Sequence, residues 1–481
     1  MKRMKDIFID KFILNKTLFK IVYLAAIMLT TVPYLHGKLG SYVKYILIWG
    51  LLLAAIDFIK SKGRILADKY MVLLMLFCLS YAVTILLNRG EFFGDSMKSL
   101  LYMVMTFLVA FRFDKKDSND KVKKEAGIIS AEIIIGTFIL STISLVTYFF
   151  QINVTYVVDG ATMYIGQVGG RLWGLYNPNV SATLVIVSLV LTCFSISVIR
   201  KRNWTIFAVV NIVIQFMVLI LAASRTVTYG AYIGLFFLII FIVPLWKPRF
   251  AGWRVKSILV RITCAIIIIG GIFGLMEGGK RILGKIPDMV NSISQAGEIK
   301  ESAGPAYHTG TLVLNTSNLE REDLGTESKG GILNGRQYIW KAGYNVFKSS
   351  PIFGVTKENI YTQGKDYVEI KTFRRAFNRG GLHNIYLTVL AASGMIGFLI
   401  LAVFVIIGVI DVVRDYKRIN TINGNEWFIA AGFLVALYFI MELFEARILY
   451  EVNISFLMFW IFAGYVVKLS SGSRECTEYE T

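Results

Sequence analysis

Three kinds of side chain in this sequence could do chemistry at the edge of a lipid phase: arginines at the ends of apolar runs, one histidine and a pair of glutamates. Arg225 stands in Ser224-Arg225-Thr226, between two apolar runs with almost no polar loop to hold it. An arginine near membrane depth is costly. It either faces a cavity or a partner, or it snorkels to the headgroups. Arg171 precedes Asn177-Pro178-Asn179, a segment in which Asn177 can cap a helix with Pro178 at its first position. A helix N-terminus beside an arginine can hold a phosphate; the plainer reading is a well-capped helix with an incidental arginine. Arg336 falls in the first turn of an expected helix, where an acid is normally favoured. It points to an anionic partner or to a solvated face. Arg374, Arg375 and Arg379 cluster ahead of His383, a basic patch suited to a diphosphate or an acidic sugar, or simply a solvated loop. His383 is one of three histidines, and a neutral imidazole can take a proton from a hydroxyl nucleophile. Asn384 beside it could orient a ligand or cap the helix that follows. Glu442 and Glu445, with Arg447 nearby, are alternative bases or a local ion pair. The outer segments hold no Asp-x-Asp signature, so no metal is expected, and no cofactor is implied. Cys78, Cys193, Cys264 and Cys476 show neither a disulfide framework nor metal spacing.

The elements that must position these groups follow from composition. Of 481 residues, 56% are hydrophobic and 17% charged, with mean hydropathy +0.61. Apolar runs of about 20 residues recur, long enough to cross a hydrocarbon core of roughly 30 Å as helices. Backbone polar groups in lipid must be paired within the segment, so the spans are helical. An all-α polytopic membrane protein is expected. The net charge of +19 does not indicate nucleic acid, because most Lys and Arg sit in short loops between spans. Twelve spans are expected, beginning near Ile21, Tyr42, Tyr70, Met97, Ile128, Asn179, Trp204, Val227, Ile258, Leu382, Trp427 and Val452. The basic loops place both termini in the cytoplasm. The basic N-terminus resembles a signal n-region, but the run after it is long and lacks a small-residue cleavage site, so it reads as an uncleaved span.

The organisation expected is spans 1 to 9 in residues 1–276, a large outer loop in 277–381, spans 10 to 12 in 382–468 and a polar tail in 469–481, taken as disordered. The first half of the loop, Glu277 to Gly331, is rich in Gly, Ser, Glu and Lys and reads as irregular. In its second half Asn334 caps a helix that Ile339, Gly343, Val346 and Phe347 make amphipathic and that Ser349-Ser350-Pro351 stops. That helix would lie across the mouth of the bundle.

The pieces Gly170-Arg171-Leu172 through Asn177-Pro178-Asn179, Ser224-Arg225-Thr226, Gly335-Arg336 through Ile339-Trp340, Ser350-Pro351-Ile352-Phe353-Gly354-Val355 and His383-Asn384-Ile385-Tyr386-Leu387 through Gly397 resemble, in order and spacing, the O-antigen ligase and O-antigen polymerase superfamily of bacterial membrane proteins. The resemblance covers about Gly160 to Gly397. It implies a glycosyltransferase of the C-type membrane fold in the bacterial cytoplasmic membrane. Such a protein moves a glycan from an undecaprenyl diphosphate donor to an acceptor hydroxyl on the outer face, without metal or nucleotide sugar. Carried over, Arg171, Arg225 and Arg336 would bind the diphosphate and His383 would be the general base, with inversion at the anomeric carbon. The substrate-binding residues would be Asn177, Asn179, Arg374, Arg375, Arg379, Asn384, Glu442 and Glu445. Partners implied are the lipid-linked glycan, an acceptor glycan, the bilayer and a chain-length regulator, with no nucleic acid. A Lys/Ile/Asn-rich composition hints at a low-GC organism without lipopolysaccharide, which favours a capsule-type polymerase over a ligase. A lipid-linked oligosaccharide transporter is the non-enzymatic alternative. It would call for an internal repeat and charges along the spans, whereas mid-span polar residues are few (Glu132, Asn211, Gln215).

Overall fold

The computed structural model describes residues 12–475 apart from 62, 64–66, 115, 159–160, 247–254, 288, 291–334, 369, 418 and 420–423. The N-terminal residues 1–11, most of the first half of the large loop, Asn334 and residues 476–481 therefore lie outside the described residues. Helices occupy the positions of all twelve expected spans: α1 (Lys16–Thr30), α3 (Val43–Lys60) after the short α2 (Pro33–Leu39), α4 (Lys69–Leu87), α5 (Phe93–Met105) continued by a π-helical turn over Thr106–Phe111, α6 (Asn119–Phe149), α7 (Pro178–Ile199), α8 (Arg202–Ala222), α9 (Arg225–Trp246), α10 (Val255–Leu283), α14 (Ile385–Tyr416), α15 (Glu426–Met441) and α16 (Ile454–Glu475). Between α10 and α14 come α11 (Arg336–Ser349), α12 (Asn359–Gly364) and α13 (Lys371–Gly380). Among the described residues, eight helices are long and apolar enough to cross a membrane, and the helices at Glu426–Met441 and Ile454–Ser470 are shorter apolar ones. α1 falls short because Pro33 starts a new helix only three residues past its end.

Two expectations are corrected. The segment between α6 and α7, read as a plain loop in an all-α protein, forms an antiparallel sheet, β1 (Val154–Val158), β2 (Ala161–Val168) and β3 (Arg171–Gly174), in the order β1-β2-β3. Its first strand is almost wholly β-branched or aromatic. Gly169 and Gly170, at φ 56° and 65°, supply the tight turn before Arg171. The tail is the second correction: α16 runs on through residues 470–475.

The polar groups gather at two ends of the bundle. At one end sit ion pairs: Lys16 with Asp57 (2.9 Å) and Asp114 (3.2 Å), Arg112 with both of those aspartates, Lys69 with Asp411 (2.5 Å), and the buried Lys20 with Glu125 (2.7 Å). The other end carries β3, the start of α7, the α8–α9 turn, α11 and the start of α14. Aromatic packing joins the interior. The Trp460 ring lies 4.4 Å from Phe107, 5.1 Å from Phe459 and 5.8 Å from Phe404. Close backbone approach is secured by Gly464, where an added Cβ would come 2.2 Å from the carbonyl oxygen of Phe111.

The device that sets the geometry of the second end is a break in α14. Gly394 has φ 63° and ψ −169°, which interrupts the helix. The chain from Pro351 to Thr356 inserts its backbone into the gap. Val355 and Thr356 donate N–H groups to the carbonyls of Ala391 (2.9 Å) and Ala392 (3.0 Å), and Met395 and Ile396 donate to those of Pro351 (2.8 Å) and Ile352 (3.3 Å). Thr84 Oγ1 and Asn88 Nδ2 donate to the carbonyls of Phe353 (2.5 Å) and Gly354 (3.2 Å). Non-helical backbone amid apolar spans is tolerated where protein satisfies it in this way.

Candidate functional site

The polar groups at this end are delivered by helix starts, a strand and a turn. Asn177 caps α7 by accepting the N–H of Asn179 (2.9 Å), with Pro178 first in the helix. That turn presents the Asn179 amide. β3 presents Arg171, whose Nε donates to the Ala222 carbonyl (3.0 Å) and whose Nη2 donates to Asn179 Oδ1 (2.7 Å). The α8–α9 turn, opened by Ala223 in the left-handed region, adds Ser224, whose hydroxyl donates to Asn179 Oδ1 (3.1 Å), and Thr226, whose hydroxyl accepts from Arg336 Nη1 (3.2 Å). Arg225 stands between them, exposed, as the first residue of α9. Arg336 opens α11 behind Gly335, which holds the cap position at φ 78°.

Of these groups, Asn179 and Arg336 meet at Glu445, in the turn after α15; Arg171 and Ser224 reach it only through Asn179, and Thr226 only through Arg336. Glu445 is only 5% exposed. Its Oε1 accepts from Asn179 Nδ2 (3.3 Å) and pairs with Arg336 Nη2 (3.8 Å). Its Oε2 faces Arg447 Nε (3.3 Å) and His383 Nδ1 (3.6 Å). Burial alone would raise the Glu445 carboxyl, but Arg447, His383 and Arg336 outweigh it and pull the group down to about 2. It is a carboxylate at any physiological pH.

His383 sits two residues ahead of α14 with φ 49°, a left-handed backbone that histidine adopts more readily than most residues. Trp340 Nε1 fixes the approach by donating to the Leu382 carbonyl (2.9 Å). Gly380 lies against the imidazole, and a Cβ there would come 2.2 Å from Nε2. A cavity of about 1060 Å³ opens beside this cluster. His383, Glu445 and Arg447 line it at one side, Lys98, Lys357 and Glu358 at another.

The remaining residues singled out in the sequence are placed elsewhere or used locally. Asn384 caps α14 through the Leu387 N–H (2.9 Å) and donates to the Leu443 carbonyl (3.0 Å). Glu442 is buried and accepts the Arg447 N–H (2.8 Å), shaping the turn that presents Glu445. Arg374 donates to the Val368 carbonyl (3.0 Å) within its own segment. The side chains of Arg375 and Arg379 lie outside the described residues. No group of three or more potential metal ligands occurs among the described residues. The sequence reading underrated Glu445, whose neighbour Arg447 suggested a local pair. The available signal was an acid at the end of an apolar run, opposite two isolated arginines.

Residues 210–402 match a family model described as O-Antigen ligase. The match takes in Arg225, Arg336 and His383, and the motifs from Ser224 to Gly397 fall inside it; Arg171, Asn179 and Glu445 lie outside. The search of curated proteins returned no match.

Proposed function

With residues 210–402 assigned to the O-antigen ligase family, we propose that this chain is a membrane glycosyltransferase that polymerises a surface polysaccharide. The observation that carries the reading is the convergence of Arg336, His383, Arg447 and, through Asn179, Arg171 on the buried Glu445 beside a cavity. In this reading the donor is a glycan on undecaprenyl diphosphate. Arg171, Arg225 and Arg336, with the helix N-termini behind them, receive the diphosphate. The acceptor hydroxyl of a second lipid-linked repeat unit attacks the anomeric carbon from the opposite face. The new C–O bond forms as the bond to the diphosphate breaks, and the configuration inverts. The hydroxyl proton passes to His383, and the electron pair leaves with the diphosphate, whose growing charge the guanidinium groups stabilise.

Glu445 has the wrong basicity for the base. A carboxyl held near 2 is a poor proton acceptor at neutral pH. Its place is to hold Nδ1 of His383, so that Nε2 faces the acceptor, and to hold Arg336 and Arg447 together against their mutual repulsion. No step requires a metal or cofactor. All twelve helices cross the cytoplasmic membrane in a C-type glycosyltransferase arrangement, with both termini cytoplasmic and the Glu445 end outside.

His383→Asn in the native host tests the reading, because asparagine tolerates the left-handed backbone but is no base. Single repeat units left on the lipid carrier, at normal protein level, are expected. An unchanged polysaccharide ladder would overturn the role of His383. Long lipid-linked chains that never reach their final acceptor would instead establish a ligase, the second reading, which the family match supports equally.

A further inference from the structure

The proposed transfer leaves unassigned what recognises the sugar brought to His383. Across the same cavity stands Glu358, half-buried, at the start of α12. Three hydroxyls from two other helices fix its carboxylate. Ser99 donates to Oε1 (2.9 Å), and Ser96 and Tyr81 donate to Oε2 (2.7 and 3.2 Å). Ser96 and Tyr81 are buried, so this is a built support and not a surface contact. Glu358 forms no ion pair among the described residues; its neighbour Lys357 is engaged by Glu451. Each carboxylate oxygen can accept about two hydrogen bonds, so capacity remains toward the cavity. One helical turn on, Tyr361 also lines the cavity, its ring edge-to-face with Phe377 at 5.4 Å.

A held carboxylate beside an aromatic ring, in a cavity shared with a candidate base, suits a hydroxyl-rich ring: the carboxylate takes O–H donors and the aromatic face takes the C–H face of the sugar. The spacing is rigid. Glu358 follows the backbone segment wedged into the break at Gly394, and His383 precedes the first half of the same helix α14. We infer that Glu358 and Tyr361 form the subsite that recognises the acceptor sugar, with the Glu358 carboxylate accepting hydrogen bonds from its hydroxyls while His383 faces the hydroxyl that reacts. This rests on the proposed glycosyl transfer.

Binding and transfer are to be measured separately on the full-length protein in detergent. The probe for binding is the repeat-unit oligosaccharide released from the host's lipid carrier, followed by saturation-transfer NMR. Glu358→Gln, which keeps the shape and loses the charge, is expected to weaken binding roughly tenfold, as loss of charge-assisted hydrogen bonds does, and Tyr361→Leu to weaken it too. In transfer assays with extracted lipid-linked repeat units, Glu358→Gln should raise the acceptor KM by a similar factor and leave kcat within about threefold. Unchanged oligosaccharide binding in Glu358→Gln overturns the subsite, as does a fall in kcat with KM unchanged. Wild-type protein that binds the oligosaccharide but transfers nothing removes the glycosyltransferase reading and leaves the subsite standing. If Glu358→Gln does not accumulate, Tyr361→Leu decides, because it leaves the hydroxyl support intact; normal binding by that variant overturns the inference.

Discussion

Glu445 is held as a carboxylate because two guanidinium groups, an imidazole and an amide surround it. Glu445→Gln keeps the volume and removes the charge, leaving Arg336 and Arg447 facing each other across a neutral amide. Breaking one side of a buried ionic cluster costs about 3 kcal/mol or more, so a fall in the thermal midpoint of the purified protein is expected together with loss of transfer. The pH dependence follows from the sign of the shift. The carboxyl lies near 2 in the folded protein, below its ordinary 4.5. Its stabilising contribution is therefore complete above about pH 4.5 and is lost as pH falls toward 2. Thermal unfolding followed from pH 7 to 3 should lose stability in the wild type below 4.5 and lose less in Glu445→Gln; parallel curves would refute the assignment. His383→Asn separates from this variant, since it should lower the rate by about 100-fold or more while the thermal midpoint barely moves. Arg171, Arg225, Arg336 and His383 stand out in the sequence as candidates because each breaks a local expectation: a polar group where an apolar run or an acid belongs. Glu445 is readable there only as an alternative base, a substrate-binding residue or half of a local ion pair; its place among Asn179, Arg336 and His383 is not, because those partners lie 266, 109 and 62 positions away, at helix starts that no local spacing brings together.

At the scale of elements, helix positions were legible because each apolar run must pair its own backbone in lipid. For the break in α14, the local signal is a glycine pair, Gly394 and Gly397, within a 32-residue helix longer than one span needs. What fills it, the backbone of 351–356, is a tertiary fact. The insertion makes a sharp prediction about glycines. A Cβ on Gly394 would lie 2.2 Å from the Ile352 carbonyl oxygen, and one on Gly354 would lie 2.5 Å from the Ala392 carbonyl carbon, both at positive φ. Gly394→Ala and Gly354→Ala should each cost about 3 kcal/mol or more, from backbone strain and overpacking together. They should also lower transfer, although neither residue reaches the cavity, because the wedge sets the spacing of Glu358 and His383. Gly408→Ala is the control on the same helix: nothing lies within 4 Å of its added Cβ, so it should be neutral or stabilise by up to about 1 kcal/mol. Unfolding measured in the same detergent for all three decides; equal midpoints for Gly394→Ala and Gly408→Ala would mean that the wedge carries no stability.

For the whole molecule, the two ends of the bundle differ in kind. One is laced by Lys and Arg paired with aspartates, and the loops and helix ends there carry Lys116, Lys121, Lys123, Lys124, Arg200, Lys201 and Arg202. The other turns Arg336 and Arg447 onto a single carboxylate and opens the cavity. The positive-inside bias acts on short loops, and this charge pattern is what supports the proposed orientation, with the first end cytoplasmic and the cavity outside. A buried arginine cluster contributes nothing to that bias, which is why counting net charge over the whole chain misleads and counting it loop by loop does not. In a background with the native cysteines replaced, Glu91→Cys and Lys201→Cys place single thiols at exposed positions of the two ends. A membrane-impermeant maleimide on intact cells should label the first and reach the second only after lysis. Labelling of Lys201→Cys from outside would invert the orientation and put Glu445, His383 and the cavity in the cytoplasm. The diphosphate-lipid reading would then have to give way to a donor made and consumed on the inner face.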